Sequence, residues 1–170
     1  MKTSLILLIL LTSFSVKAQL LPRIEVKQFE GDWYVIGYKP TRFNKKWINT
    51  VKGYTWDAKK NYYDVLTTYN TKQRGRQKSI SQKLLPVANS SNAQWTARFW
   101  LFVKVDYVIY RIADDYSYVV VGHPKQKYLY IMSRKPQMSE GLYEELVSFA
   151  VSTLGYKRED IRKQLQESRI

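Results

Sequence analysis

The chain of 170 residues contains no cysteine and a single histidine, His123. The absence of thiols excludes disulfides, a nucleophilic thiolate and thiolate metal ligands. One histidine cannot build a multi-histidine metal site, and His123 lies beside Pro124 in a turn without a nucleophile motif. We therefore expect a solvated loop histidine, no metal, no cofactor and no catalytic residue.

No apolar run in the chain is long enough to span a bilayer. The run over residues 5–11 follows Lys2 and precedes the small-residue site Val16-Lys17-Ala18, which is typical of a signal peptide. The pattern predicts a signal peptide over residues 1–18, cleaved after Ala18, and one domain over residues 19–170. A lipoprotein leader needs a cysteine at the cleavage point. Because none is present, we expect an exported protein, periplasmic or secreted, without a lipoprotein anchor.

Negative charge is scarce, with 14 Asp and Glu against 28 Lys and Arg and a net charge of +14. Removing Lys2 and Lys17 with the leader leaves +12 for the rest of the chain. Such an excess favours anionic partners, namely nucleic acid, anionic lipid head groups or acidic ligands. Scattered cations that solvate the outer faces explain the charge equally well.

Alternation of apolar and polar residues with period two dominates the middle of the chain, and turn residues interrupt it. The predicted strands cover residues 33–39, 51–57, 62–69, 76–85, 94–102, 106–112, 116–121 and 128–134. Strands about 10 to 12 residues apart with short turns predict an all-β fold, an eight-stranded antiparallel up-and-down β-barrel. The interior of such a barrel holds side chains or one small ligand.

The periodicity changes to that of a helix after Pro136. Ser139 is predicted as the N-cap, apolar residues then recur on one helical face, and Gly155 follows the last turn. We expect this amphipathic C-terminal α-helix to pack on the outside of the barrel. The charged residues 159–166 predict a frayed helix or a tail.

Aromatic residues make up 15% of the chain and occupy both faces of several predicted strands. Examples are Phe99-Trp100-Leu101-Phe102 and Tyr116-Ser117-Tyr118. Rings with polar tips line apolar sites that must also orient a ligand. Ordinary filling of the barrel explains these rings equally well.

Three motifs occur in order along the chain: Gly31-Asp32-Trp33-Tyr34, the turn Asp114-Asp115-Tyr116, and residues 128–134, which end in Arg134. Together with the helix from Ser139, they resemble the lipocalins, in the branch of bacterial lipocalins and apolipoprotein D. The resemblance covers residues 21–164. The second family motif, Thr-Asp-Tyr, is present only loosely, because Tyr116 lies one place late.

The resemblance implies a cup-shaped barrel that is closed at one end by Trp33 and Arg134, with the guanidinium stacked on the indole. It implies that the open end binds a fatty acid or lysophospholipid, for envelope lipid carriage, storage or stress response. Matched to the family pattern, the predicted ligand-binding residues are Tyr69, Phe99, Tyr118, Tyr128, Tyr130 and Met132.

The connection after the first strand is expected at the open mouth, since that strand rises from the closed end. It carries Arg42, Phe43, Lys45, Lys46 and Trp47. Cations beside aromatic rings suit a membrane interface and also the carboxylate or phosphate of a ligand. We hypothesise that this loop receives anionic single-chain lipids and docks transiently on anionic bilayers. A solvated basic loop with Trp47 folded back onto the rim is the alternative.

Three other functions are compatible with these residues. A lipocalin-fold enzyme that acts on a lipophilic substrate is one of them. A nucleic-acid binder would use the basic run over residues 72–78, but a charged hairpin connection explains this run and export removes the usual target. We therefore predict no nucleic-acid partner. A structural envelope protein without a small ligand is the third, and the presence or absence of extractable lipid distinguishes it.

Overall fold

A computed structural model describes residues 22–71, 75–99 and 103–166. The eight predicted strands are present, with boundaries close to those predicted. They are β1 (Gly31–Tyr38), β2 (Ile48–Asp57), β3 (Tyr62–Asn70), β4 (Lys78–Pro86), β5 (Gln94–Phe99), β6 (Val103–Ile112), β7 (Tyr118–Gly122) and β8 (Leu129–Ser133). The predicted signal peptide, the basic residues 72–74 and the aromatic residues 100–102 lie outside the described residues.

The strands form one antiparallel sheet that closes on itself. Its order runs from β2 to β8 and then to β1, and β1 pairs with β2 to complete the barrel. The closing ladder is short, since it joins only residues 31–34 to residues 51–54. The predicted fold class, an eight-stranded antiparallel barrel with an outer helix, is confirmed.

The C-terminal segment fills the gap between β1 and β2 beyond this short ladder. After a 3-10 turn (Arg158–Asp160), a two-residue strand, β9 (Arg162–Lys163), pairs with the end of β1. The side chain of Gln166 then donates to the carbonyl oxygens of Val35 and Thr50 at 2.8 and 3.0 Å. The prediction of a frayed helix or tail here is therefore wrong. The strand was missed because two residues are too few to show a periodic pattern in the sequence.

The barrel wall separates two apolar clusters, one inside the lumen and one outside. The outer cluster lies beneath α2 (Glu140–Ser152) and joins Leu146, Val147 and Ala150 of the helix to Val120, Leu129 and Ile131 of the wall. Because α2 covers β7 and β8, these strands are buried on both faces. This double burial explains the unbroken apolar run Val119-Val120-Val121.

Both ends of α2 match the sequence prediction. Ser139 caps its start by accepting a backbone N–H at 3.4 Å. After the helix, Gly155 adopts a φ of +74°, which L residues rarely adopt, and the chain turns back. The hydroxyl of Tyr156 then donates to the carbonyl oxygen of Tyr128 at 2.7 Å. Gly122 is required beneath this hydroxyl, because a Cβ at that position would overlap it.

A short helix that the sequence analysis did not predict, α1 (Val26–Phe29), covers one end of the barrel. Phe29 at its end and Ile24 before it are buried, and Tyr63 donates its hydroxyl to the carbonyl oxygen of Val26 at 2.5 Å. This end is therefore closed, and the connections after β1 and β7 lie at the opposite end of the barrel, which is called the mouth. Within the described ranges, no helix is long and apolar enough to cross a membrane.

Candidate ligand-binding site in the barrel lumen

Arg134 and Trp33 seal the closed end. The guanidinium carbon lies 3.8 Å from the centroid of the indole ring, which is a cation–π contact. The guanidinium nitrogens also donate to the carbonyl oxygens of Gln28, Asp32 and Tyr116 at 2.7, 3.1 and 3.4 Å. The structure thus places both residues where the resemblance implies, and their contacts join the N-terminal segment, β1 and the β6–β7 turn.

A layer of aromatic rings fills the barrel above this floor. The rings belong to Phe29, Trp33, Tyr54, Trp56, Tyr63 and Trp95. Neighbouring centroids lie 5.0 to 6.2 Å apart in tilted or edge-on geometry, as aromatic pairs prefer. The hydroxyl oxygens of Tyr54 and Tyr107 meet at 2.7 Å. Burial raises the pKa of both phenols, so they stay protonated. In the closed half, ordinary barrel filling therefore accounts for the aromatic residues.

The predicted residues of β8 lie on the inner face of the barrel. Tyr128 and Tyr130 contact each other with ring centroids 5.5 Å apart, and both pack against the inner cluster. The Tyr128 hydroxyl donates to the carbonyl oxygen of Asp106 at 2.6 Å. Met132 is fully buried within the inner cluster, and Phe99 packs against its edge. The two tyrosines and Phe99 are thus the predicted residues that lie partly buried on the mouth side of the lumen.

Tyr118 does not face the lumen, so its predicted role as a ligand-binding residue is wrong. It packs with the outer cluster beneath α2, with its ring 5.9 Å from the guanidinium of Arg111. The strand register gives the reason. Met132 of β8 faces inward and pairs with Val119, so the pleat turns the preceding residue of β7 outward.

The mouth loop, defined here as residues 39–47, is tied to the lumen wall by a buried asparagine. The side chain of Asn44 accepts the backbone N–H of Thr41 at 2.6 Å and donates to the hydroxyl of Tyr130 at 3.2 Å. Trp47 is half-buried and stacks on Tyr69 with centroids 3.8 Å apart and planes 14° apart. Trp47 is thus folded back onto the rim, as the alternative for this loop predicts.

The remaining predicted mouth residues are exposed. Phe43 is 70% exposed, and the guanidinium carbon of Arg42 lies 4.6 Å from its ring centroid. Lys45 and Lys46 follow on the same loop and are also exposed. The loop therefore presents one apolar ring among three cations to the solvent at the open end.

The structure adds a lumen residue that sequence reasoning missed, Lys52 of β2. It is 4% exposed, and its ammonium lies 4.3 Å from the centroid of the Tyr130 ring. Burial lowers its pKa to about 8. The sequence contains a signal for this position, because Lys52, Tyr54 and Trp56 are spaced two residues apart and therefore share one face of the strand, the inward one.

His123 is buried, so the expectation of a solvated loop histidine is wrong. Its Nδ1 accepts the backbone N–H of Lys125 at 2.9 Å, which shapes the β7–β8 turn. Nε2 lies 3.8 Å from a carboxylate oxygen of Asp106. Burial and the nearby Lys127 lower the pKa of His123. Across residues 22–71, 75–99 and 103–166, no group of three or more acidic or histidine side chains is arranged to hold a metal.

A closed barrel with a plugged end, an open mouth and an outer helix defines the lipocalin class of proteins, which generally bind small hydrophobic ligands. The family model of the lipocalin-like domain matches residues 24–166, so the chain belongs to the lipocalin family. Its homologues are typically binding proteins rather than enzymes.

One relative is temperature-induced lipocalin-1 of Arabidopsis thaliana, with 30% identity over 148 residues, covering 82% of this chain and 78% of the relative. Lobster apocrustacyanin A1 has a similar fold, with a TM-score of 0.66 at 14% identity, covering 84% of this chain and 79% of that protein. Insecticyanin of Manduca sexta also has a TM-score of 0.66, at 15% identity, with 88% and 85% of the two chains covered.

Proposed function

We propose that this protein is an exported carrier that holds a fatty acid or lysophospholipid in the upper half of its barrel. The observation that carries the proposal is the combination of half-buried rings and exposed cations on the mouth side of the barrel. The closed half is packed with rings, whereas the upper half is lined by Tyr128, Tyr130 and Phe99. A mouth loop with exposed Phe43 and three exposed cations stands at its entrance. An amphiphile with one apolar chain and one anionic head matches this combination.

The proposed setting is envelope lipid carriage, storage or stress response. The predicted signal peptide over residues 1–18 supports export, and the name of the plant relative, temperature-induced lipocalin-1, supports a stress role. Assignment to the branch of bacterial lipocalins and apolipoprotein D stays a prediction. The Nδ1 of His123 accepts the backbone N–H of Lys125 and so shapes a turn, which supports a structural role for this histidine.

Native mass spectrometry of the protein purified from its own host, followed by lipid extraction, tests the proposed function. The expected result is a bound species whose extract contains one class of single-chain lipid. A protein that carries no lipid and takes up neither fatty acid nor lysophospholipid when they are added would contradict the proposal and favour a structural envelope protein.

Tyr130 and Tyr118 provide a matched pair of variants for the lumen. Tyr130→Ala removes a ring from the lumen wall and is expected to weaken binding of hexadecanoate by roughly 1 to 2 kcal/mol. Tyr118→Ala removes the same ring from the outer cluster and should leave the affinity unchanged. Displacement of a fluorescent fatty acid measures both affinities. Equal losses in the two variants would place the ligand outside the lumen.

The mouth loop is proposed to dock transiently on anionic membrane surfaces. Each exposed cation near such a surface contributes about 1 kcal/mol, and Phe43 can insert at the interface. Reversing Arg42, Lys45 and Lys46 to Glu is therefore expected to abolish co-sedimentation with anionic vesicles at low salt, where screening is weak.

A second triple reversal controls for the change in net charge. Lys27, Lys59 and Lys135 are exposed residues of the closed end. Their reversal to Glu changes the net charge by the same amount and should leave vesicle binding largely intact. Equal losses of vesicle binding in the two triple variants would show that total charge, and not the mouth loop, attracts the protein to the bilayer.

A further inference from the structure

Lys52 lies on the inner face of β2, at the boundary between the two halves of the lumen. Its backbone pairs with Trp33 of β1 and Thr67 of β3. One pleat closer to the floor, Tyr54 shares its hydroxyl hydrogen bond with Tyr107 at 2.7 Å. The lysine therefore stands on the mouth side of the packed aromatic layer.

The buried ammonium has no carboxylate partner among the described residues. The inner cluster around Lys52 contains the tyrosines Tyr38, Tyr54, Tyr63, Tyr107, Tyr128 and Tyr130. Burial raises the pKa of each of them, so they are neutral and cannot balance the charge. The contact that the structure gives the ammonium is the face of the Tyr130 ring at 4.3 Å. A buried cation is costly unless an anion or several hydrogen-bond acceptors compensate it.

A second polar group of β2 is also left without a partner. The hydroxyl oxygen of Thr50, two residues nearer to the mouth than Lys52, is buried and has no hydrogen-bond partner in the described part of the chain. Buried polar groups are almost always hydrogen-bonded, so such exceptions call for a physical explanation. A carboxylate has two oxygens, which can accept one bond from an ammonium and one from a hydroxyl.

The packing below Lys52 decides the orientation of a ligand that reaches it. The six rings of the aromatic layer occupy the closed half, so an alkyl chain cannot extend below the lysine. On its mouth side lie the rings of Tyr128, Tyr130 and Phe99, together with the buried side chain of Asn44. A head group at Lys52 therefore leaves its chain pointing towards the open end.

From these observations we propose that Lys52, assisted by Thr50, is an internal anion-binding site that holds the carboxylate of a single-chain lipid, head inward and tail towards the mouth. The site deepens the proposed function and rests on it. With a pKa of about 8, Lys52 is mostly protonated at pH 7 and ready to pair with an anion. Head-first entry also suits a mouth that docks on a bilayer, because the head groups lie at the bilayer surface.

Isothermal titration calorimetry with dodecanoate and with dodecanol tests the site, since the two ligands share a chain and differ in charge. Lys52→Met is expected to weaken dodecanoate binding by about ten-fold or more and to leave dodecanol binding unchanged or tighter. Lys59→Met, at an exposed lysine of the closed end, should change neither affinity. Thr50→Val should weaken dodecanoate binding by a smaller factor.

The carbon NMR signal of dodecanoate labelled at the carboxyl carbon gives a second readout. In the wild-type complex, this signal is expected to stay at its ionised position when the pH is lowered from about 7 to about 5, because the ion pair depresses the carboxyl pKa. A head group at the mouth would instead titrate near its usual pKa.

The possible failures are distinguishable. If the wild-type protein binds neither dodecanoate nor dodecanol, the internal site fails together with the fatty-acid part of the proposed function. If it binds dodecanoate and Lys52→Met binds it equally well, the internal site is wrong while the carrier function stands. A carboxyl signal that titrates in the wild-type complex overturns the head-inward orientation.

Discussion

Trp33→Ala is expected to lower the free energy of unfolding by about 3 to 5 kcal/mol, because it removes a fully buried indole from the floor of the barrel. Arg134→Ala should cost less, since part of its contribution is the cation–π contact with the same ring. The double variant is expected to lose about 1 kcal/mol less than the sum of the two single losses, because each single variant already removes the cation–π contact. Denaturant unfolding of both single variants and the double variant measures the coupling.

Trp95 provides the control for this double-mutant cycle. It is as deeply buried as Trp33, but its ring contacts are Trp56 and Tyr63. Trp95→Ala should be similarly destabilising and should add to Arg134→Ala without a coupling term. Additivity in the Trp33 pair as well would refute the stacking contribution to barrel closure.

Lys52→Met is expected to stabilise the ligand-free protein at pH 7 by about 3 kcal/mol. The lysine pKa falls from 10.5 to about 8 on folding, and each unit corresponds to about 1.4 kcal/mol. Methionine fills a similar volume without a charge to desolvate, and such replacements of buried charges are often stabilising. Binding of dodecanoate should reduce the difference in free energy of unfolding between Lys52→Met and the wild type, because the ligand supplies an anion for Lys52.

The stabilisation by Lys52→Met should also depend on pH in a defined direction. Below pH 8 both the folded and the unfolded wild-type chains are protonated at Lys52, so the burial penalty is fully present. Between about pH 8 and 10.5 the folded chain releases the proton first, so the wild-type protein gains stability relative to the variant. Unfolding curves at about pH 7, 9 and 10 test this pH dependence. Lys59→Met is the control, and its free energy of unfolding relative to the wild type should not depend on pH. A difference that stays constant with pH would contradict the burial of a charged lysine.

The predictions that succeeded concern local patterns. Period-two alternation, or a short apolar run in β7, together with the turn residues between the runs identified all eight strands, because these signals lie in each strand's own residues and its neighbouring turns. Ser139 and Gly155 marked the ends of α2 for the same reason, since capping depends on a few neighbouring residues. Segments too short to carry a pattern, α1 and β9, were not found.

The site was predicted in part. Tyr128 and Tyr130 lie in the lumen as predicted. The prediction succeeded because the family pattern matches β8 and the residue before it without a shift in register. Tyr118 was misplaced because the facing of β7 depends on its register with β8, and a shift of one residue reverses every side chain. The sequence left the packing of Trp47 open and placed His123 in solvent. The reason is that the sequence of a loop does not show which strand or loop its side chains contact.

By itself, the sequence determined the strands, the outer helix and the family, because these depend on short-range periodicity and on motifs whose residues stand together in the chain. Only the tertiary structure decided what the two halves of the lumen contain. Closure of the barrel brings Lys52 of β2 over Tyr130 of β8 and leaves its charge without an anion in the part of the chain that the structure describes. The cost of that burial comes from groups far apart in the chain, so no local pattern records it.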